Sequence, residues 1–250
     1  MESGSLTIPD SAGTLDVAWA TDTGAVRARN EDRCVVVPLV GGGCVLVLAD
    51  GMGGHSGGAE AAEAAVSAVG AAVSGRTGID AAMLEVSIAA AVVAVSAFPA
   101  SVSGSPGTTL DVVGLVGGEM IAAHVGDARV YAVTAGRARC LTIDHSWVGE
   151  EIRAGRLDAS AARGHPRRNI ITRAITGSPV APDVTGHAAP APGETVFLCS
   201  DGVWEPLEDD ELGALIGGGG DLESLVVATC RAAIDGGSRD NVTVAAARRR

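Results

Sequence analysis

Two short apolar runs limit the folds open to this chain. Cys44-Val45-Leu46-Val47-Leu48-Ala49 leads into Asp50-Gly51, and Thr195-Val196-Phe197-Leu198-Cys199-Ser200 leads into Asp201-Gly202. A continuous apolar run closed by glycine is the pattern of a strand buried in a core. Each such strand delivers a carboxylate at the core's edge, where an ionised Asp is costly unless something positive meets it. Two further acidic clusters, Asn30-Glu31-Asp32 and Arg239-Asp240-Asn241, border the apolar stretches Val35-Val36-Val37 and Val242-Thr243-Val244. Four acidic corners spread along the sequence predict one oxygen-lined site assembled by folding, with a metal ion as the positive partner.

Composition narrows the chemistry. Hydrophobic residues make up 47% of the chain and aromatics 2%, so the core must be built from Val, Leu, Ile and Ala. All 18 basic residues are arginine, which removes a P-loop lysine, a Schiff base and a kinase-type phosphate lysine. A net charge of −12 argues against a nucleic-acid surface, which needs a basic footprint. An anionic substrate must then be met locally, by a metal ion or a well-placed Arg. Cys34, Cys44, Cys140, Cys199 and Cys230 are odd in number and form no C-x-x-C pair, as expected of small core residues in a reducing compartment. None is followed six residues later by Arg, so no phosphate-loop cysteine is present. No basic n-region with an apolar h-region opens the chain, and the expected location is cytoplasmic. The apolar stretch from Val86 to Phe98 is shorter than the roughly 18 residues a membrane span needs, and reads as a buried helix.

Residues 1–13 are polar and turn-rich and predict a flexible end, followed by a single domain over 14–250. Strands are expected at 14–20, 33–38 and 44–49, then helices from Gly58 through Ser74 and from Ile79 to Ala97. A dense set follows, Leu110–Val116, Met120–Val125, Arg129–Val133 and Ala138–Ile143, with turns at Gly117-Gly118 and Ala135-Gly136, and suggests an antiparallel meander. Ser146 to Thr176 is polar and Arg-rich, as in a lid. A last strand pair at 195–200 and 241–247 brackets helices near 208–216 and 222–235. Strands and helices come in blocks rather than in βα alternation, which favours an α+β layered sandwich over a doubly wound sheet.

Hard divalent ions take oxygen ligands. Asp32, Asp50, Asp201 and Asp240, with a backbone carbonyl from a residue such as Gly51, would supply a shell for two of them. Two ions a few Å apart lower the pKa of a shared water and present it to a phosphorus centre, so the predicted reaction is phosphate-ester hydrolysis.

The ordered motifs Arg27-Ala28-Arg29-Asn30-Glu31-Asp32, Ala49-Asp50-Gly51-Met52-Gly53-Gly54-His55, Gly107-Thr108-Thr109-Leu110, His124-Val125-Gly126-Asp127-Ala128-Arg129, Asp144-His145-Ser146, His165-Pro166-Arg167-Arg168-Asn169, Ser200-Asp201-Gly202 and Asp240-Asn241-Val242-Thr243-Val244 carry a resemblance. The chain resembles the bacterial branch of the PPM (PP2C-type) metal-dependent serine/threonine protein phosphatases, over about residues 14–247. The resemblance implies a four-layer αββα sandwich, two antiparallel sheets flanked by helices. It implies that Asp32, Asp50, the Gly51 carbonyl, Asp201 and Asp240 hold two catalytic Mn2+ or Mg2+ ions. Asp127, with Asp201, would hold a third ion, Arg27 would clamp the substrate phosphate, and Glu31 would orient metal waters. The 146–176 segment corresponds to the family's variable flap, associated with substrate choice. Ala128 stands where the family usually has Ser, and Ile175-Thr176 where Leu-Gly is common; neither change removes a metal ligand.

Other readings stay open for several of these residues. Asp50 and Asp201 taken singly could cap turns before glycine. His55 could protonate the leaving alkoxide or be a loop histidine bonded to backbone. His124 reads as a satisfied core residue, His145 as a cap on the start of the flap helix rather than a substrate contact, and His165, before Pro166 in the flap, as a flap residue with or without a substrate role. The expected activity is removal of phosphate from phosphoserine and phosphothreonine by a metal-bridging water, by a monomer, opposing a serine/threonine kinase. Its rivals are a regulatory module that has lost turnover and a phosphohydrolase of small metabolites or of a partner-switching regulator.

Overall fold

The computed structural model describes residues 1–53, 57–98 and 106–250. In chain order its strands are β1 (Glu2–Asp10), β2 (Gly13–Asp22), β3 (Arg33–Pro38), β4 (Cys44–Ala49), β5 (Gly51–Met52), β6 (Gly107–Thr108), β7 (Leu110–Val116), β8 (Glu119–Val125), β9 (Arg129–Thr134), β10 (Arg137–Cys140), β11 (Asp183–Ala188), β12 (Thr195–Cys199) and β13 (Val242–Arg249). The helices are α1 (Gly58–Val73), α2 (Ala81–Ser96), α3 (Trp147–Arg153), α4 (Ala159–Ala162), α5 (Asp201–Trp204), α6 (Asp209–Ile216) and α7 (Leu222–Asp235). One sheet runs β1-β2-β13-β12-β9-β10 and the other β11-β8-β7-β4-β3, with β5 and β6 as a small separate pair. Both large sheets pair antiparallel throughout.

The apolar runs that opened the sequence are apolar on both faces because both faces are covered. Successive side chains of a strand point to opposite sides. Along β4, Val45, Val47 and Ala49 face α1 and α2, whereas Cys44, Leu46 and Leu48 face the other sheet. Along β12, Phe197 and Cys199 pack among α5, α6 and α7, and Val196 and Leu198 enter the layer between the sheets. The molecule is therefore α+β, with two antiparallel sheets face to face and helices outside each, as the resemblance implied.

Three expectations need correction, and one strand falls outside them. Residues 2–10 are not a loose end: β1 pairs with β2 along nine residues from Glu2↔Thr21 to Asp10↔Gly13, buries Ile8, and ties Ser3 and Ser5 to the Glu223 carboxylate at 2.8 and 2.7 Å. Its alternation of polar and apolar residues is too weak to read as a strand, and the ladder to β2 supplies what the side chains lack. The hairpins β7–β8 and β9–β10 do not form one meander but lie in different sheets, because the chain crosses the sandwich at Gly126-Asp127-Ala128. The helix at 81–96 is buried on one side only, leaving Val86 58% and Val93 70% exposed. Finally, β11 has no apolar run to announce it; it is an edge strand held by β8.

Leu198 is fully buried in the layer between the sheets. Leu198→Ala is expected to cost about 2–5 kcal/mol, read as a fall in the urea midpoint with the slope unchanged. A loss below about 1 kcal/mol would mean that this layer is loosely packed.

Candidate metal and phosphate site

Antiparallel pairing brings the acidic corners together. Arg33 pairs with Ala49, so Asp32, one residue before β3, and Asp50, one residue after β4, leave the ladder side by side. In the other sheet Cys199 pairs with Val244, and Ser200 N donates to Thr243 O at 3.1 Å, which sets Asp201 beside the turn of Asp240 and Asn241. Ser200 then joins the sheets: its Oγ donates to Asp32 Oδ2 at 2.7 Å and accepts from Thr243 N at 3.1 Å.

Residues around these corners hold their backbones. Asp50 N donates to Thr109 Oγ1 at 2.9 Å, and the Asp50 carbonyl accepts from Thr109 N and Thr108 Oγ1, both at 2.9 Å. Asn241 Oδ1 accepts from Glu31 N at 2.8 Å, while its Nδ2 donates to Thr23 O and Arg29 O. Asn30 Oδ1 accepts from Asp32 N at 3.1 Å. Two glycines are required by space: a Cβ on Gly51 would strike the Gly58 backbone and lie 2.7 Å from the Glu31 carbonyl, and one on Gly202 would strike the Asn241 carbonyl. Asp127 sits at the crossover between sheets, where Trp204 Nε1 donates to its carbonyl at 3.0 Å. Trp204 is itself covered by the Arg129 guanidinium 3.6 Å from the ring centre, and Arg129 is forked onto Asp144 at 2.9 and 2.8 Å. Of these supporting residues, Ser200, Thr108, Thr109 and Asn241 lay inside motifs already noted, but their roles depend on partners up to 218 residues away.

The assembled carboxylates lift one another's pKa. Burial, then the charges of Asp32, Asp201, Asp127 and Asp240, holds Asp50 well above the usual range. Asp201 is raised likewise, by burial and then by Asp127, Asp240, Glu205 and Asp32. Burial pushes Asp32 up to about 6 despite its hydrogen bond from Ser200, and Asp127 to about 7, with Asp144 adding to the effect. Glu31 is also raised, mainly by burial, and its carboxylate lies against Gly58. Oxygen donors crowded together, with one arginine among them, fit hard divalent cations. Among the described residues no group of three or more His, Cys, Asp or Glu side chains is already arranged to hold an ion. That is compatible with Mg2+-like binding, in which one or two carboxylates and several waters complete the shell.

Arg27 stands at the mouth of this centre, its Nη2 2.5 Å from Asp240 Oδ2 and its side chain 48% exposed. It lines a cleft of about 630 Å3 with Asp201, Asp240, Arg168 and Arg239. His55 lies outside the described residues. His124 is buried with Nδ1 2.7 Å from Asp111 Oδ1, but its Nε2 has no hydrogen-bond partner among the described residues, so it is a half-satisfied core residue. His145 is not the cap of α3, a role taken by Ser146 Oγ, which accepts from Gly149 N at 3.1 Å. It is fully buried and grips Gly126 twice, through Gly126 N to Nδ1 at 3.1 Å and its own N to Gly126 O at 2.6 Å. His165 stacks on Trp147 at 4.8 Å, away from the acidic centre's own lining.

Sequence and structure comparisons agree with this geometry. The sequence pattern of the family Protein phosphatase 2C matches residues 24–235, and the chain belongs to that family. It is 34% identical over 247 residues to the serine/threonine protein phosphatase PstP of Mycobacterium tuberculosis, covering 93% of this chain and 45% of that protein. The chain thus spans about half the length of that relative. It is 31% identical over 238 residues to the protein phosphatase PhpP of Streptococcus pneumoniae, covering 92% of this chain and 96% of the other. Among solved structures it is similar to the catalytic domain of PstP in complex with two manganese ions, with a TM-score of 0.80, 30% identity, and coverage of 94% and 97%.

The raised carboxylates give a sign for stability. A carboxyl whose folded pKa exceeds its unfolded value of about 3.9 binds more protons folded than unfolded between the two, so stability falls as pH rises through that window. For EDTA-treated protein the Asp32 and Asp127 contributions fall away from about pH 4 to pH 6–7. Mn2+ is expected to raise Tm more at pH 7.5 than at pH 5. Without metal at pH 7.5, Asp201→Asn is expected to melt about 3 °C or more above wild type and to gain less from Mn2+. A variant that melts lower without metal would contradict the repulsion.

Proposed function

We propose that the chain is a Mn2+- or Mg2+-dependent phosphatase that removes phosphate from phosphoserine and phosphothreonine in proteins. The observation that supports it most is the meeting of Asp32, Asp50, Asp201 and Asp240 below a cleft whose mouth carries Arg27. Asp32, Asp50, the Gly51 carbonyl, Asp201 and Asp240 would hold two ions, Asp127 with Asp201 a third, and Glu31 would orient water in the shell. Bound, the ions would activate a water as nucleophile and neutralise charge gathering on the phosphoryl oxygens. Arg27 presents a fork of donors suited to two phosphate oxygens and is aimed by its pairing with Asp240. The half-open cleft admits a side chain presented by a larger protein.

The partners in this reading are phosphoproteins, among them a serine/threonine kinase whose signal the enzyme reverses, and it acts as a monomer in the cytoplasm. Five unpaired cysteines, three of them buried, support a reducing compartment. No described helix is long and apolar enough to cross a membrane.

Phosphate release from a phosphothreonine peptide is expected to require Mn2+ and to be lost in EDTA, with nucleotide hydrolysis much slower. Arg27→Ala is expected to raise KM for the peptide about tenfold or more while the Mn2+ dissociation constant changes little. Metal-independent release, faster turnover of nucleotides, or an unchanged KM in the variant would count against the assignment.

A further inference from the structure

The cleft is wider than a single phosphoryl group needs. Its volume is about 630 Å3, and its rim carries arginines from three separate stretches: Arg27, then Arg163 and Arg168 of the 146–176 segment, then Arg239 between α7 and β13. Two of the four are committed within the protein. Arg27 pairs with Asp240 at 2.5 Å, and Arg163 Nη1 donates to the carbonyls of Trp204 and Glu205, both at 2.9 Å. The other two guanidinium groups are less committed. Arg239 is exposed and makes no hydrogen bond or ion pair among the described residues. Arg168 is 42% exposed and has a long ion pair with Glu205, which lines the same cleft: its Nε is 3.5 Å from Glu205 Oε1, well beyond the length of a charge-assisted hydrogen bond. They come from different elements and border one cavity, beside the corner formed by Asp201 and Asp240.

A guanidinium in water loses little by staying unpaired, but one that borders a substrate cleft offers a planar fork of donors to any carboxylate or phosphate presented there. An extended peptide advances about 3.3–3.6 Å per residue, so a group a few residues from the phosphoresidue falls within reach of the rim. We infer that Arg168 and Arg239 form an anion subsite beside the phosphate position. The preferred substrates are then phosphopeptides with a second anionic group, an Asp or Glu side chain or another phosphoryl group, within about three residues of the phosphate to be removed. This rests on the phosphopeptide reading of the cleft and adds to it the charge of the surrounding sequence. In a chain of net charge −12 such a preference runs against the overall field, which is why it needs a local arginine pair.

The test is the steady-state kinetics of Mn2+-loaded protein on phosphothreonine peptides that differ at one flanking position, carrying Asp, Asn, Lys or a non-hydrolysable phosphonate. The expected KM is about three- to tenfold lower for the Asp and phosphonate peptides than for the Asn peptide, with kcat little changed and the gap closing at high salt. Comparing the Asp and phosphonate peptides tells which anion the subsite favours, and a lower KM for either supports it. The Arg168→Glu/Arg239→Glu double variant is expected to turn the preference toward the Lys peptide, and the corresponding double change to Lys to keep the acidic preference. Equal KM across the set in wild type, or an acidic preference that survives the double reversal, overturns the subsite while leaving the phosphatase reading standing. Hydrolysis of none of the peptides overturns both.

Discussion

Everything at this site depends on holding buried negative charges together against their own repulsion. The fold does it with strand ends: in an antiparallel pair the end of one strand lies beside the start of its neighbour, so Asp32 and Asp50 share one edge, and Asp201 and Asp240 share the other. Ser200 closes the gap between the edges through its bonds to Asp32 and Thr243. Left uncompensated, such a cluster opposes folding, and two packed sheets with helices outside each supply the burial that outweighs it.

The carboxylates have little freedom because their backbones are bound from behind. Thr108 and Thr109 hold Asp50, and Thr108 also exchanges backbone hydrogen bonds with Ile175 at 3.0 and 2.9 Å, so the end of the 146–176 segment is anchored to a residue that binds the acidic corner. His145 gives a second anchor at the start of that segment by gripping Gly126, whose neighbour Asp127 faces the cluster. The segment that borders the cleft is thus fixed at both ends to the acidic centre it borders, and its middle contributes Arg163 and Arg168 to the cleft's lining.

Much of this could be read from the chain, and the reasons differ residue by residue. Asp50 and Asp201 stood out because each follows a run buried on both faces, a local signal that survives without knowledge of the partner strand. Asp32 and Asp240 were legible only as acidic residues bordering apolar stretches, and their neighbourhood came from motif order. Ser200, Thr109 and Asn241 gave no chemical signal, since a hydroxyl or amide becomes informative only when its distant acceptor is known. The edge strands β1 and β11 were missed for a related reason: an edge strand can be stabilised by its ladder rather than by its own side chains. The split of the β7–β10 block between two sheets was invisible because hairpin signals are local and sheet membership is not.

The most direct measurement is anomalous scattering at the manganese edge from crystals grown with Mn2+, which locates the ions without reference to any relative. Two peaks about 3.5–4 Å apart are expected in the corner between Asp50 and Asp201, with oxygens of Asp32 and Asp240 bound directly or through water. Manganese found only at surface carboxylates, with none between the two strand-end pairs, would contradict the idea that this fold gathers its acids to hold metal.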